Sequence, residues 1–430
     1  MKLKEFYYKS KNRIHELWRS KIFRYAIIMH GIYFIASLAL TLTVFRNQND
    51  FRVYFRVGEV FINDIRGLYD PLNFIGMWPF RYFPLSGLLF VPFYLLGFEL
   101  GFVIFNIINV LLNIFICIIL YKIIVLTRGK NHESDENRVI LYICLYLMSI
   151  PQVFNYILGQ INLYVTLLIL ISLYLFLKYK DNKWNFIASF ILGISVNIKP
   201  ITLFLIPFLI VINFDRNVKR IKIESVKSII RLSGFILPVL LNIIIFLMYP
   251  ELLEGFLNIN ITGEETVLKN HSFSITKLIQ NLLIFIGFSQ TQLQSFQLPI
   301  FIIILLMFGG IGFIVYFIRK RVEHSLIFGY TFGILIMLLG YFDSWDHHLL
   351  ILTPLLIIII FRFPRGSKLT RKFIKPSFFF LSFFDLAFMG IWFLTQEFFP
   401  FNFVSTIFLL LIFYSISKFC LKKDSLNQKN

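Results

Sequence analysis

The sequence predicts an all-α integral membrane protein, and three observations carry that prediction. Hydrophobic residues make up 58% of the 430-residue chain and charged residues 15%, far from the balance of a water-soluble domain. Apolar runs of spanning length recur from Tyr25 to Phe419, and in lipid only a helix or a closed barrel satisfies its own backbone. The in/out alternation of barrel strands is absent. Helices remain.

Charge sets the expected orientation. The net charge of +19 collects in short clusters at Lys2–Arg24, Arg216–Arg231, Arg319–Arg321, Arg362–Lys375 and Lys418–Lys429. Positive charge in the short loops of a membrane protein marks the cytoplasmic side, so the excess speaks for topology and not for nucleic acid. The opening stretch mixes bases with Phe6, Tyr7, Ile14, Leu17 and Trp18, the composition of a segment lying on anionic lipid. It has no small-residue cleavage site and is not read as a removable signal. Cys117, Cys144 and Cys420 sit in or at the end of apolar segments without metal-ligand spacing, as inert core residues do.

Phe83–Gly97 decides the topology. Taken as a full span, it sends the basic stretches 127–138, 178–183 and 216–231 to the outside. Taken as an element of the outer interface, it keeps every basic loop inside. The second choice gives about twelve spans, near 25–45, 100–123, 139–154, 161–178, 185–198, 201–214, 229–249, 298–318, 324–341, 348–362, 376–394 and 402–420, with both termini cytoplasmic. The expected division is a basic cytoplasmic segment 1–24, one membrane domain 25–420 and a tail 421–430. Within that domain, 46–99 forms the first extracytoplasmic loop. In it, Arg52, Arg56, Glu59, Asn63 and Arg66 recur at helical spacing opposite Val53, Val57, Val60 and Phe61, which predicts an amphipathic interfacial helix beginning near Asp50. Trp78, Phe80, Tyr82 and Phe83 supply an aromatic belt.

The residues able to do chemistry gather at the outer ends of the spans. Asp50 meets water at the end of the first span, either as a general base of raised pKa or as the N-cap of the following helix. Lys199, in NIKPITLF, interrupts apolar sequence. It is either an anion contact or a snorkelling helix-end lysine. Asp343, Trp345, Asp346, His347 and His348 crowd one turn. They read as a hydrogen-bonding or proton-transfer group, a divalent metal site being the less favoured alternative because adjacent histidines on a helix face different ways. Gln160 and Asn162 offer amides to sugar hydroxyls or to neighbouring helices, and Asn270 and Ser272 lie in the second large outer loop. No Gly-rich phosphate loop, GxSxG or zinc-protease motif occurs.

Six pieces in order carry a resemblance: DFRVYFRVGEVFINDIRGLYD, FRYFPLSGLLFVPFYLLG, LGQINLYVTLLIL, LGISVNIKPITLFLIPFLI, NHSFSI and SWDHHLLIL. Together, over Tyr25 to Leu355, they resemble the glycosyltransferase 87 family of the GT-C superfamily, whose members look like polyprenyl-phosphate-mannose-dependent mannosyltransferases. The resemblance implies a GT-C-type bundle in the cell membrane and an inverting transfer on its outer face. The implied partners are a polyprenyl-phosphate hexose donor, a glycan or glycolipid acceptor, and membrane lipids. It casts Asp50 as the catalytic base, Lys199 as the donor-phosphate contact and His347 and His348 as active-site residues. Tyr54, Gln160, Asn162, Asn270, Trp345 and Asp346 stand as substrate-binding candidates. Two departures are visible. Tyr82-Phe83-Pro84-Leu85 replaces a double-proline pattern, and the DxD signature of metal-using relatives is missing, so no cofactor and no metal are expected. A lipid-linked-sugar flippase or transporter, which the absence of internal repeats and of charges along a path disfavours, and a glycan ligase are the competing classes.

Overall fold

The structure, a computed structural model, describes residues 17–46, 49–128, 135–215, 220–262, 272–319, 324–384, 387, 390–391, 394–395 and 399–421. Most of the basic opening stretch, the tail and Asn270 lie outside the described residues. In chain order the helices are α1 (Lys21–Thr43), α2 (Asp50–Asn63), α3 (Gly87–Leu95), α4 (Phe98–Thr127), α5 (Glu136–Leu147), α6 (Ile150–Ile157), α7 (Asn162–Lys178) and α8 (Asn182–Ile198). They continue as α9 (Ser225–Met248), α10 (Pro250–Leu257), α11 (Ile275–Phe285), α12 (Gln290–Ile318), α13 (Leu326–Gly340), α14 (Leu349–Arg362), α15 (Lys375–Phe379) and α16 (Val404–Leu421).

Among the described residues six stretches are long and apolar enough to cross a membrane: Lys21–Thr43, Phe98–Thr127, Glu136–Ile157, Ser225–Met248, Gln290–Ile318 and Phe401–Leu421. Several other segments expected as spans are shorter helices. α13 and α14 explain themselves: every residue of α13, and every residue of α14 before Arg362, is buried. They are apolar all round because they form the centre of the bundle.

Two local readings of the sequence need correction. The expected span over 201–214 is not an α-helix. Pro200 and Pro207 withhold backbone donors, and Pro200–Leu209 winds instead as a 3-10 segment. An antiparallel hairpin follows, Ile212–Asp215 against Arg220–Ile223, with Ile212 opposite Ile223 and Asp215 opposite Arg220. The predominantly helical fold therefore carries one small strand pair in the basic loop ahead of α9.

Packing fixes the end of the bundle where the loops meet. α8 and α9 approach backbone to backbone through Gly193 and Gly234: a Cβ at Gly193 would lie 2.2 Å from the Phe235 carbonyl oxygen, the close approach that small residues allow between membrane helices. α2 lies on α3 and α4 by its apolar face. Phe51 meets the edges of Phe98 at 5.5 Å and Phe102 at 5.1 Å, and burying such a ring is worth about 2 kcal/mol or more. A buried polar network holds α6 to α1 and α4. His30 Nε2 lies 2.9 Å from the Tyr156 hydroxyl, Gln152 Nε2 donates to Asn113 Oδ1 at 2.9 Å, and Thr41 donates to the Ile157 carbonyl at 2.8 Å. The Leu158–Gln160 turn is thereby fixed at the foot of α2.

Candidate active site

Asp50 is the first residue of α2, yet it does not cap the helix. Asn49 does so, its Oδ1 accepting the Arg52 N–H at 2.9 Å. The carboxylate is left for other work, which removes the reading of Asp50 as a mere N-cap. Its backbone N–H donates to the Leu158 carbonyl at 2.8 Å, and the Gln160 amide Nε2–H donates to its Oδ2. One turn along α2, the Tyr54 hydroxyl donates to Gln160 Oε1 at 3.3 Å and lies 3.0 Å from the Tyr82 hydroxyl. Stacking on Phe90, with ring centroids 4.5 Å apart, fixes the Tyr54 ring.

Lys199 ends α8 in an extended conformation, as a residue before proline prefers. It is 3% exposed. Nζ donates to Asn162 Oδ1 at 2.8 Å and stands 5.7 Å from the centre of the Tyr82 ring. The Asn162 amide in turn donates to the His347 carbonyl at 3.2 Å. A snorkelling lysine would reach for water; this one turns inward.

The turn between α13 and α14 supplies the opposite wall. Arg81 Nη1 pairs with Asp343 Oδ2 at 2.6 Å, and the Trp345 indole N–H donates to Asp343 Oδ1 at 2.6 Å. The Trp345 backbone N–H donates to His348 Nδ1 at 3.1 Å, which assigns the imidazole proton to Nε2.

These groups surround a cavity of about 750 Å³. Asp50, Tyr54, Gln160, Lys199, Trp345, His347 and His348 all line it. Asn162 stands behind Lys199, and Asp346 is not among the lining residues. Arg81, Tyr82 and Asp343 complete the wall. Arg81 escaped the sequence reading because one arginine inside FRYFP resembles any headgroup-level base. Its partner Asp343 was visible in the polar turn, but 262 residues separate the two and no local pattern joins them. Ser272 works structurally: its hydroxyl accepts the Ser344 N–H at 3.0 Å.

Burial dominates the electrostatics. It pushes the Asp50 carboxyl up to about 6, against the pull of the Gln160 hydrogen bond and of Lys199. It pushes the Lys199 ammonium down to about 7, opposed by Asp50 and Asp343. His348 is held well below its usual value by burial, then by Lys199 and His347, so it is neutral near pH 7. Among the described residues Lys199 makes no ion pair while Arg81 is already paired, and taking an unpaired ammonium out of water costs several kcal/mol. Lys199 is thus a cavity-lining cation that no salt bridge neutralises among the described residues. No three His, Cys, Asp or Glu side chains among the described residues gather as metal ligands. Asp343 spends its oxygens on Arg81 and Trp345.

Comparison with family models matches residues 80–341, more than half of the chain, to glycosyltransferase family 87. A shorter stretch, 298–389, matches transmembrane proteins 14C. The longer match contains Arg81, Gln160, Asn162 and Lys199, while Asp50, Asp343, His347 and His348 fall outside it. No curated protein matches the chain.

Proposed function

The chain belongs to glycosyltransferase family 87 and is a multi-pass membrane glycosyltransferase, and we propose that it transfers a hexose from a polyprenyl-phosphate donor, with inversion, to a hydroxyl of a glycan or glycolipid. The observation that carries this reading is the shared cavity of Asp50 and Lys199: a carboxylate with a raised pKa and a buried ammonium that makes no direct ion pair among the described residues face one space. Asp50 takes the acceptor proton as the hydroxyl oxygen attacks the anomeric carbon. The bond from that carbon to the phosphate oxygen breaks on the opposite face. The lipid phosphate that leaves gains negative charge, which Lys199 meets in a water-poor site where such a contact is strongest.

His347 and His348 stand beside Trp345, both buried, and hold the substrate as hydrogen-bonding groups, His348 in its neutral form. The positive charge for the leaving group comes from Lys199, without a metal. The sugar is mannose by the resemblance of the six motifs. The cavity faces the outside and both termini the cytoplasm, which the basic residues beyond Arg319, around Arg362 and in the hairpin loop support.

The test is donor choice. The purified protein in lipid nanodiscs is given radiolabelled hexose on a polyprenyl monophosphate, on a polyprenyl diphosphate, or on a nucleotide, with a membrane lipid extract as acceptor pool and EDTA in a parallel series. Label reaching a new glycolipid or glycan from the monophosphate alone, with EDTA harmless, is the expected result. Use of the diphosphate-linked donor moves the protein to the ligases. Loss under EDTA with recovery on magnesium or manganese overturns the metal-free part.

A further inference from the structure

Tyr54 and Gln160 have a role that their type does not announce. Each hydroxyl has a single proton to give. Tyr54 spends its proton on Gln160 Oε1, so the contact to Tyr82 at 3.0 Å is one in which Tyr82 donates. With its oxygen committed to Tyr54, the Gln160 amide presents its N–H to Asp50 Oδ2. The opposite amide orientation would set a carbonyl oxygen against an ionised carboxylate.

We propose that Tyr82, Tyr54 and Gln160 form a one-way hydrogen-bond relay that holds Asp50 ionised and aimed, acting as positioning residues and not as substrate-binding ones. The proposal rests on the reading of Asp50 as the base. With Oδ2 held by Gln160, the remaining carboxylate oxygen is the one that meets an acceptor hydroxyl. The relay favours the base before reaction, because a donor to the carboxylate stabilises its charged form. The relay is built rigidly. Tyr54 is stacked on Phe90, the Gln160 backbone N–H donates to the Asn155 carbonyl at 2.8 Å, and the residue between Leu158 and Gln160 is a glycine with φ +67°, whose Cβ would lie 2.6 Å from Phe51 Cβ. Tyr82 belongs to both halves of the site, its hydroxyl in the relay and its ring face toward Lys199 at 5.7 Å. Lys199, Arg81 and Asp343 are the charged groups that act on Asp50 besides the relay, and none of them is altered by the substitutions below.

The test compares wild type, Asp50→Asn, Gln160→Ala, Gln160→Glu and Tyr54→Phe in nanodiscs. Two readouts are taken: the titration of the Asp50 carboxyl by infrared difference spectroscopy against Asp50→Asn, and kcat and KM for a polyprenyl-phosphate donor. The relay predicts an Asp50 midpoint higher in Gln160→Ala than in wild type, a smaller rise in Tyr54→Phe, and the highest value in Gln160→Glu, where a second carboxylate faces the first. It predicts kcat lowered by up to roughly a hundredfold in Gln160→Ala, with donor KM within about twofold of wild type. An unmoved midpoint in folded Gln160→Ala overturns the relay. So does a loss confined to KM, which would make Gln160 a substrate contact. If Asp50→Asn itself retains transfer, the reading of Asp50 as base fails instead, and the infrared readout still reports on the relay.

Discussion

Arg81 and Asp343 form an ion pair at 2.6 Å with side chains 12% and 18% exposed, fastening the first long loop to the turn ahead of α14. Asp343 gives its second oxygen to the Trp345 indole, so one carboxylate orders both an arginine and a tryptophan of the cavity wall. Removing one partner of a nearly buried pair leaves the other charge without compensation. Asp343→Ala should cost about 3 kcal/mol, read as a lower unfolding midpoint in nanodiscs. Asp343→Asn, which keeps an acceptor for Trp345, should cost less. Equal midpoints for all three proteins would show that the pair contributes nothing to the fold.

The two shifted groups predict a narrow pH optimum. Asp50 must be ionised to take a proton, so kcat/KM rises as pH passes through about 6. Lys199 must be protonated to meet the phosphate, so the rate falls as pH passes through about 7. The result is a bell whose limbs report the free enzyme. Lys199→Arg should abolish the alkaline limb, since a guanidinium stays charged throughout. An alkaline limb unchanged in Lys199→Arg would assign it to another group.

Gly159 sits at φ +67° between Leu158, which accepts the Asp50 N–H, and Gln160, which donates to the Asp50 side chain. An alanine there meets both a left-handed backbone and Phe51 at 2.6 Å. Gly159→Ala should lose about 2 kcal/mol of stability and a larger share of activity, because relief of the clash moves the start of α2. A variant that keeps wild-type transfer would show that this turn does not place Asp50.

His348 accepts the Trp345 N–H through Nδ1, leaving Nε2 as its donor. In His348→Asn the amide oxygen takes the place of Nδ1, so the turn should persist while the Nε2 donor disappears. The expectation is an unchanged unfolding midpoint with transfer reduced more than tenfold. Wild-type transfer by this variant would reassign the active-site role to His347.

Much of this was legible in the sequence, for identifiable reasons. Apolar length found the helical membrane class and the six long apolar stretches, and the mixed periodicity after Asp50 found α2. Asp50, Lys199 and the Asp343–His348 turn stood out because ionisable groups are costly at membrane depth. Hydropathy without regard to proline led to the misreading of Pro200–Leu209 as part of a span. The hairpin escaped because Ile212–Asp215 is too short to show alternation, and its register depends on pairing with Arg220–Ile223. The roles of Tyr54 and Gln160 were hidden for a different reason: 106 residues separate them, and no local pattern records that a tyrosine of α2 fixes an amide at the start of α7.

The most direct test of the account is transfer by Asp50→Asn beside wild type, in nanodiscs loaded with radiolabelled polyprenyl-phosphate mannose and a membrane lipid extract, with donor flipping recorded in the same protein reconstituted in vesicles. The account predicts label in a new glycolipid or glycan from wild type, a loss of at least about a hundredfold in Asp50→Asn, and the same unfolding midpoint for both. Comparable transfer by the two proteins would contradict it, and so would flipping by wild type without transfer.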